Sequence, residues 1–228
     1  MGAALLSQWA RLLGDGTGHE ATGVRVVAWH VRAANSGWVS RVWLGAQNEA
    51  GLPAPAIAVD GSEGWLLCFA LPPDQPQAGA VALLRELIRS WLNQTDATVS
   101  TVSTQDAAAW RFTCWPQELP ADGVPVPRQV GPDRWSAFVA PDLLPVFAES
   151  PWLDCAPGEE GQAALLGKLQ PIPVADWARL RAAAMQGAPG QALADAGDAV
   201  AGAGEARVAP VGAAPAQAPR AFLLSVMN

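Results

Sequence analysis

The sequence predicts an α+β fold: a mainly antiparallel sheet covered by an amphipathic helix, then a helical C-terminal section and an Ala/Gly/Pro-rich tail. Three observations carry this reading. Apolar and polar residues alternate along 24–34, 38–47, 55–60 and 64–71, which is the period of a strand. One stretch, 78–93, repeats its apolar residues at three- and four-residue steps, which is the period of a helix. From Ala188 to Pro219 there is no aromatic residue and almost no large aliphatic one, too little to offset the entropy of ordering.

Taken in order, Leu5, Leu6, Trp9, Leu12 and Leu13 give the N-terminus one apolar helical face, with neither the positive start nor the long apolar run of a secretory signal. The Gly-rich stretch around His19 leads into a strand at 24–34, with Val24, Val26, Ala28, His30 and Arg32 on one face and Arg25, Val27, Trp29 and Val31 on the other. The turn Asn35-Ser36-Gly37 and the alternation of Trp38, Ser40, Val42 and Leu44 then read as the return strand of a first hairpin. A second hairpin joins 55–60 to 64–71 through Asp60-Gly61-Ser62-Glu63-Gly64, whose glycines supply the positive φ a tight connection needs.

Helix 78–93 carries Val81, Leu84, Leu87, Ile88 and Trp91 toward the sheet, on the face expected to hold His30. Two further strands are expected at 97–104 and 110–116, and the Pro-rich stretch up to Asp133 reads as an exposed excursion. Trp135, Ala137 and Val139 alternate as a last strand, Pro141 opens a short helix, and helical patterns at 159–170 and 174–186 suggest a helical hairpin. The expected organisation is one globular domain over 1–187, a flexible linker over 188–219 and a short apolar segment over 220–228.

Composition narrows the function classes. With 14 basic and 21 acidic residues the formal net charge is −7, and no basic run is present, so nucleic acid is a poor fit to a phosphate-tracking surface. No window has the roughly 18–20 apolar residues of a membrane helix, which argues against a membrane role. The 3 Cys, at 68, 114 and 155, are odd in number and widely spaced, fitting neither a disulfide framework nor zinc ligation. A reducing, cytoplasmic setting is expected, and the Arg-over-Lys usage points to a bacterial genome of biased base composition. Neither metal nor cofactor is expected: Gly14-Asp15-Gly16-Thr17-Gly18 lacks the Lys-Ser/Thr ending of a phosphate loop and follows a helix instead of preceding one.

The 11 Trp are the most informative feature, because Trp29, Trp38, Trp43 and Trp65 all fall on the four expected strands, interleaved with Arg25, Arg32 and Arg41. Trp and Arg dominate binding hot spots. The expected function is therefore a non-catalytic protein-binding or accessory protein. Its binding residues would be Trp29, Trp43, Arg25 and Arg41 on the sheet, and Phe222, Leu223, Leu224, Val226 and Met227 as a tethered anchor. One rival is a single-stranded nucleic-acid binder or degenerate nucleic-acid-processing domain, which needs the same four Trp and Arg residues exposed on one surface. The other is an enzyme with a site from His30, Asp60, Glu63 and Cys68, which requires those side chains to converge in a pocket.

Overall fold

A computed structural model describes residues 2–14, 23–32, 36–93, 110–121 and 123–186. The strand expected at 97–104, the loop with His19, the linker 188–219 and the apolar segment 220–228 lie outside the described residues. Strand β1 (Val24–Arg32) forms where Val and Trp alternate, and it pairs antiparallel on both sides, with β3 (Gly64–Gln75) and with β4 (Arg111–Trp115). The Asp60–Gly64 turn joins β2 (Ala56–Val59) to β3 as the sequence predicts, and β2 pairs on its other side with β6 (Arg134–Val139). With β5 (Arg128–Gly131) at the far edge, the six strands form one curled antiparallel sheet in the order β4-β1-β3-β2-β6-β5.

The strand period of 2 sends side chains alternately to two separate cores. One core holds Val27, Trp29 and Val31 with Trp65, Leu67 and Phe69; the other holds Val26 and Ala28 with Cys68, Ala70, Trp115 and Phe138. Val24, expected beside Val26, belongs to the first core, because the β1/β3 register shifts between Val24 and Val26. Helices cover both faces. On the Trp29 face lie α2 (Ser36–Asn48), α3 (Gln77–Asn93) and α5 (Val174–Met185); on the other lie α1 (Ala3–Leu13) and α4 (Glu159–Gly167).

Four sequence expectations are corrected here. Residues 38–47 are helix α2, so the first hairpin does not exist; Val39, Val42 and Ala46 are fully buried at helical spacing, and β3 takes the place beside β1. Helix α3 covers the Trp29 face, opposite to His30. The Pro-rich stretch is anchored: Val124 and Val126 are buried against Trp9, whose indole N–H donates to the Val126 carbonyl at 2.9 Å, and β5 follows within it. Finally, α4 and α5 are not a hairpin, since they pack on opposite faces of the sheet. The chain crosses where β3 runs beyond the end of β2, and there the Ile172 N–H pairs with the free Ala70 carbonyl at 2.9 Å.

Part of the β6 edge is closed by a side chain. Gln162 of α4 is buried, and its amide donates to the Phe138 carbonyl at 3.0 Å while accepting from the Phe138 N–H at 2.7 Å. It serves the backbone of β6 as a neighbouring strand would, beyond the reach of the short β5. Arg11 of α1 then caps the end of α4, donating to the Leu169 carbonyl at 2.9 Å and the Leu166 carbonyl at 3.3 Å.

Candidate ligand cleft

Helices α1 and α4 cover only part of the second face, packing Leu5, Trp9, Leu12, Ala163, Leu166 and Leu169 over Val26, Ala28 and Phe138. The rest of that face is the floor of a cleft of 530 Å³, inside the curl of the sheet. His30 of β1, Leu66 of β3 and Thr113 and Trp115 of β4 line it, with Ser136 of β6. Its sides come from Arg111 and Arg128 on the two edge strands and from Leu119, Pro120 and Pro125 in the connection after β4. Trp115 is fixed from behind by Trp9, whose ring meets it edge to face at 5.5 Å.

His30 and Asp60 form the polar centre. Nε2 of His30 lies 2.9 Å from Oδ2 of Asp60, with the imidazole 21% exposed and the carboxylate 10%. Asp60 is held by its own turn: Oδ1 accepts the N–H of Ser62 at 2.7 Å and of Gly64 at 3.0 Å, and Oδ2 also accepts the Ser62 hydroxyl at 3.0 Å. Burial works against the charged carboxylate, but the hydrogen bond from His30, the Ser62 and Gly64 amides and the positive charge available on the ring outweigh it, lowering the pKa to about 2. An ionised carboxylate can only accept, so the proton of the pair sits on Nε2, and a ring carrying that one proton presents Nδ1 as an acceptor. No protein partner of Nδ1 occurs among the described residues.

The hydrogen-bonding capacity of the cleft is unevenly spent. All four bonds just described occupy Asp60; Glu118, the other carboxylate in the lining, accepts from Gln77 Nε2 at 2.8 Å. Ser136 is committed to the β5 backbone, accepting from the Arg128 N–H at 2.9 Å and donating to the Arg128 carbonyl at 3.2 Å. The guanidinium groups of Arg111 and Arg128 have no ion-pair partner among the described residues. Left for a ligand are the two guanidinium groups, the Thr113 hydroxyl and Nδ1 of His30.

The residues expected from sequence are distributed differently. Trp29 is fully buried in the first core, stacked edge to face on Trp110 at 5.3 Å. Trp43 and Arg41 sit on helix α2, where the Trp43 indole donates to the Pro55 carbonyl at 3.1 Å and Arg41 pairs with Glu49. Arg25 is on β1 beside Gly14 at the end of α1. These four therefore form no shared exposed face. Of the proposed enzyme set, His30 and Asp60 meet in the cleft, whereas Glu63 is exposed at the hairpin tip outside the lining. Cys68 is sealed beneath the helices, and burial raises its thiol to about 12, so it is no nucleophile for His30. Phe222, Leu223, Leu224, Val226 and Met227 lie outside the described residues.

Arg111, Arg128 and Thr113 were invisible to sequence reasoning as site residues, since nothing local marks them. Only the pairing of His30 with Arg111 across β1 and β4 puts the two side by side. No cluster of His, Cys, Asp and Glu able to hold a metal occurs among the described residues, and no helix among them is long and apolar enough to cross a membrane. Comparison with known proteins finds no matching family, curated protein or solved structure.

Proposed function

We propose that this protein is a binding module whose ligand is a small anionic organic molecule held in the cleft on the inner face of the sheet. The observation that carries this reading is the state of the lining: Asp60 is filled by four protein donors and Glu118 accepts from Gln77, while the guanidinium groups of Arg111 and Arg128 have no ion-pair partner among the described residues. Guanidinium groups left free in a concave site match oxyanions. The apolar wall of Leu119, Pro120 and Pro125 suits the body of the molecule.

Titration of the full chain with inorganic phosphate, citrate and benzoate, followed by tryptophan fluorescence through Trp115, tests the reading. Binding of at least one anion is expected, weakened by added salt and abolished in an Arg111→Ala/Arg128→Ala double variant. Binding that survives the double variant unchanged would place the anion elsewhere and end the proposal.

The His30–Asp60 pair favours a second reading, in which the same cleft performs acid–base chemistry on its ligand, because a fixed carboxylate orients the imidazole as general-base histidines require. Loss of turnover in His30→Gln with ligand affinity retained would support it. Protein binding through residues 220–228 is a separate proposal, tested by deleting them and comparing captured partners.

A further inference from the structure

The unspent groups of the cleft describe their ligand more closely than its charge alone. His30 and Arg111 are direct Cα partners across the antiparallel β1/β4 pair, and both line the cleft. Cross-strand neighbours of this kind sit about 5 Å apart, within the span of adjacent groups on one small molecule. One of them offers a fork of charged donors. The other, with Nε2 committed to Asp60, offers when singly protonated a lone pair at Nδ1 that an oxyanion cannot satisfy but a hydroxyl can. A molecule satisfying both carries an anionic group with a hydroxyl close to it.

A second cation in the lining narrows the kind of anion. Arg128, on the strand at the other edge of the sheet, lines the same cleft because the sheet curls. A planar carboxylate is satisfied by a single guanidinium fork, whereas a phosphate directs its terminal oxygens apart and can be shared between cations on facing walls. Taking the cleft as the binding surface, we infer that the ligand is a hydroxylated phosphate ester, a sugar phosphate in chemical class. Its phosphate lies between Arg111 and Arg128, and a neighbouring hydroxyl donates to Nδ1 of His30. Leu119, Pro120 and Pro125 then face the carbon skeleton.

Calorimetric titration of the full chain at pH 8 with ribose 5-phosphate, ribose, inorganic phosphate and benzoate separates the parts of this inference. Ribose 5-phosphate is expected to bind most tightly, and Arg111→Ala, on an exposed edge residue, should weaken it by about tenfold or more. His30→Gln, with folding checked by its melting curve, should weaken ribose 5-phosphate and leave inorganic phosphate unchanged. If ribose 5-phosphate binds no better than inorganic phosphate, or Arg111→Ala has no effect on it, the inference is overturned. Benzoate binding without either phosphate would overturn it while leaving the anion-binding reading in place. Failure of all four to bind would also overturn it, and failure of citrate as well would remove the anion-binding reading.

Discussion

Asp60 shows how one residue serves the turn, the sheet and the cleft together. Its carboxylate closes the β2–β3 turn through the Ser62 and Gly64 amides and reaches across β3 to His30 on β1. The adjacent Gly61 has φ +83, and a Cβ there would meet Val130 at 2.4 Å and the Ser136 nitrogen at 2.8 Å, so the turn presses directly on β5 and β6. Because the folded pKa of Asp60 is lowered from 3.8 to about 2, its contribution is fully present above pH 4 or so and is lost as pH falls through 2. The shift corresponds to roughly 2 kcal/mol. Urea denaturation across acid pH should show a stability gap between the native protein and Asp60→Asn that narrows over this window. A gap that stays constant down to pH 2 would contradict the linkage. The Asp-Gly turn was legible in sequence; His30 was named beside Asp60 only within a four-residue rival site, and which members meet depends on which strand lies next to β3.

At the scale of elements, legibility followed the distinctness of the period. Helix α3 was readable because Leu84, Leu87, Ile88 and Trp91 fit a helical step and no strand step. Helix α2 was misread because Trp38, Val39, Val42, Trp43 and Leu44 fit either period, and β-branched and aromatic residues tilt the choice toward a strand. What decides it is packing: a Cβ at Gly45 would lie 2.6 Å from Trp91 Cγ, so α2 settles on α3 where it has no side chain. Strand β5 was hidden by the surrounding prolines, although its turn into β6 carries a Gly-Pro-Asp signal at 131–133 with Asp133 at φ 52. The edge of β6 also depends on one side chain of α4. Replacing Gln162 with Leu leaves the buried Phe138 N–H and carbonyl without that partner and is expected to cost about 3 kcal/mol. Chemical denaturation measures it, and a loss below ~0.5 kcal/mol would show that Gln162 is not the closing group.

For the whole molecule, the arrangement is a curled sheet with helices on both faces, and its two cores differ in what they leave open. The Trp29 face is covered by three helices, whereas α1 and α4 leave the polar end of the other face uncovered, and there the cleft forms. The same layering sorts the thiols. Cys68 and Cys114 are buried, with burial raising them to about 12 and about 11, the latter helped by the negative charge of Glu118; Cys155 is exposed. In the native protein at pH 8 a disulfide exchange reagent should therefore modify Cys155 within minutes and the other two only on unfolding. Fast native labelling of Cys68 would mean that the helices over the second core open readily.

The sequence by itself determined the α+β class, the β2–β3 hairpin, helix α3, the apolar face of α1 and the helical state of α4 and α5, because those features are written in local periods and turn residues. It also determined which residue types were available for chemistry, His30 and Asp60 among them. Only the tertiary structure decided the state of α2, the face each helix covers and the burial of Trp29. The same is true of the meeting of His30 with Asp60 and Arg111 in one cleft. The reason is physical: strand order, sheet curl and helix docking are set by contacts between residues far apart in the chain, and a local pattern compatible with two structures is resolved only by what it packs against.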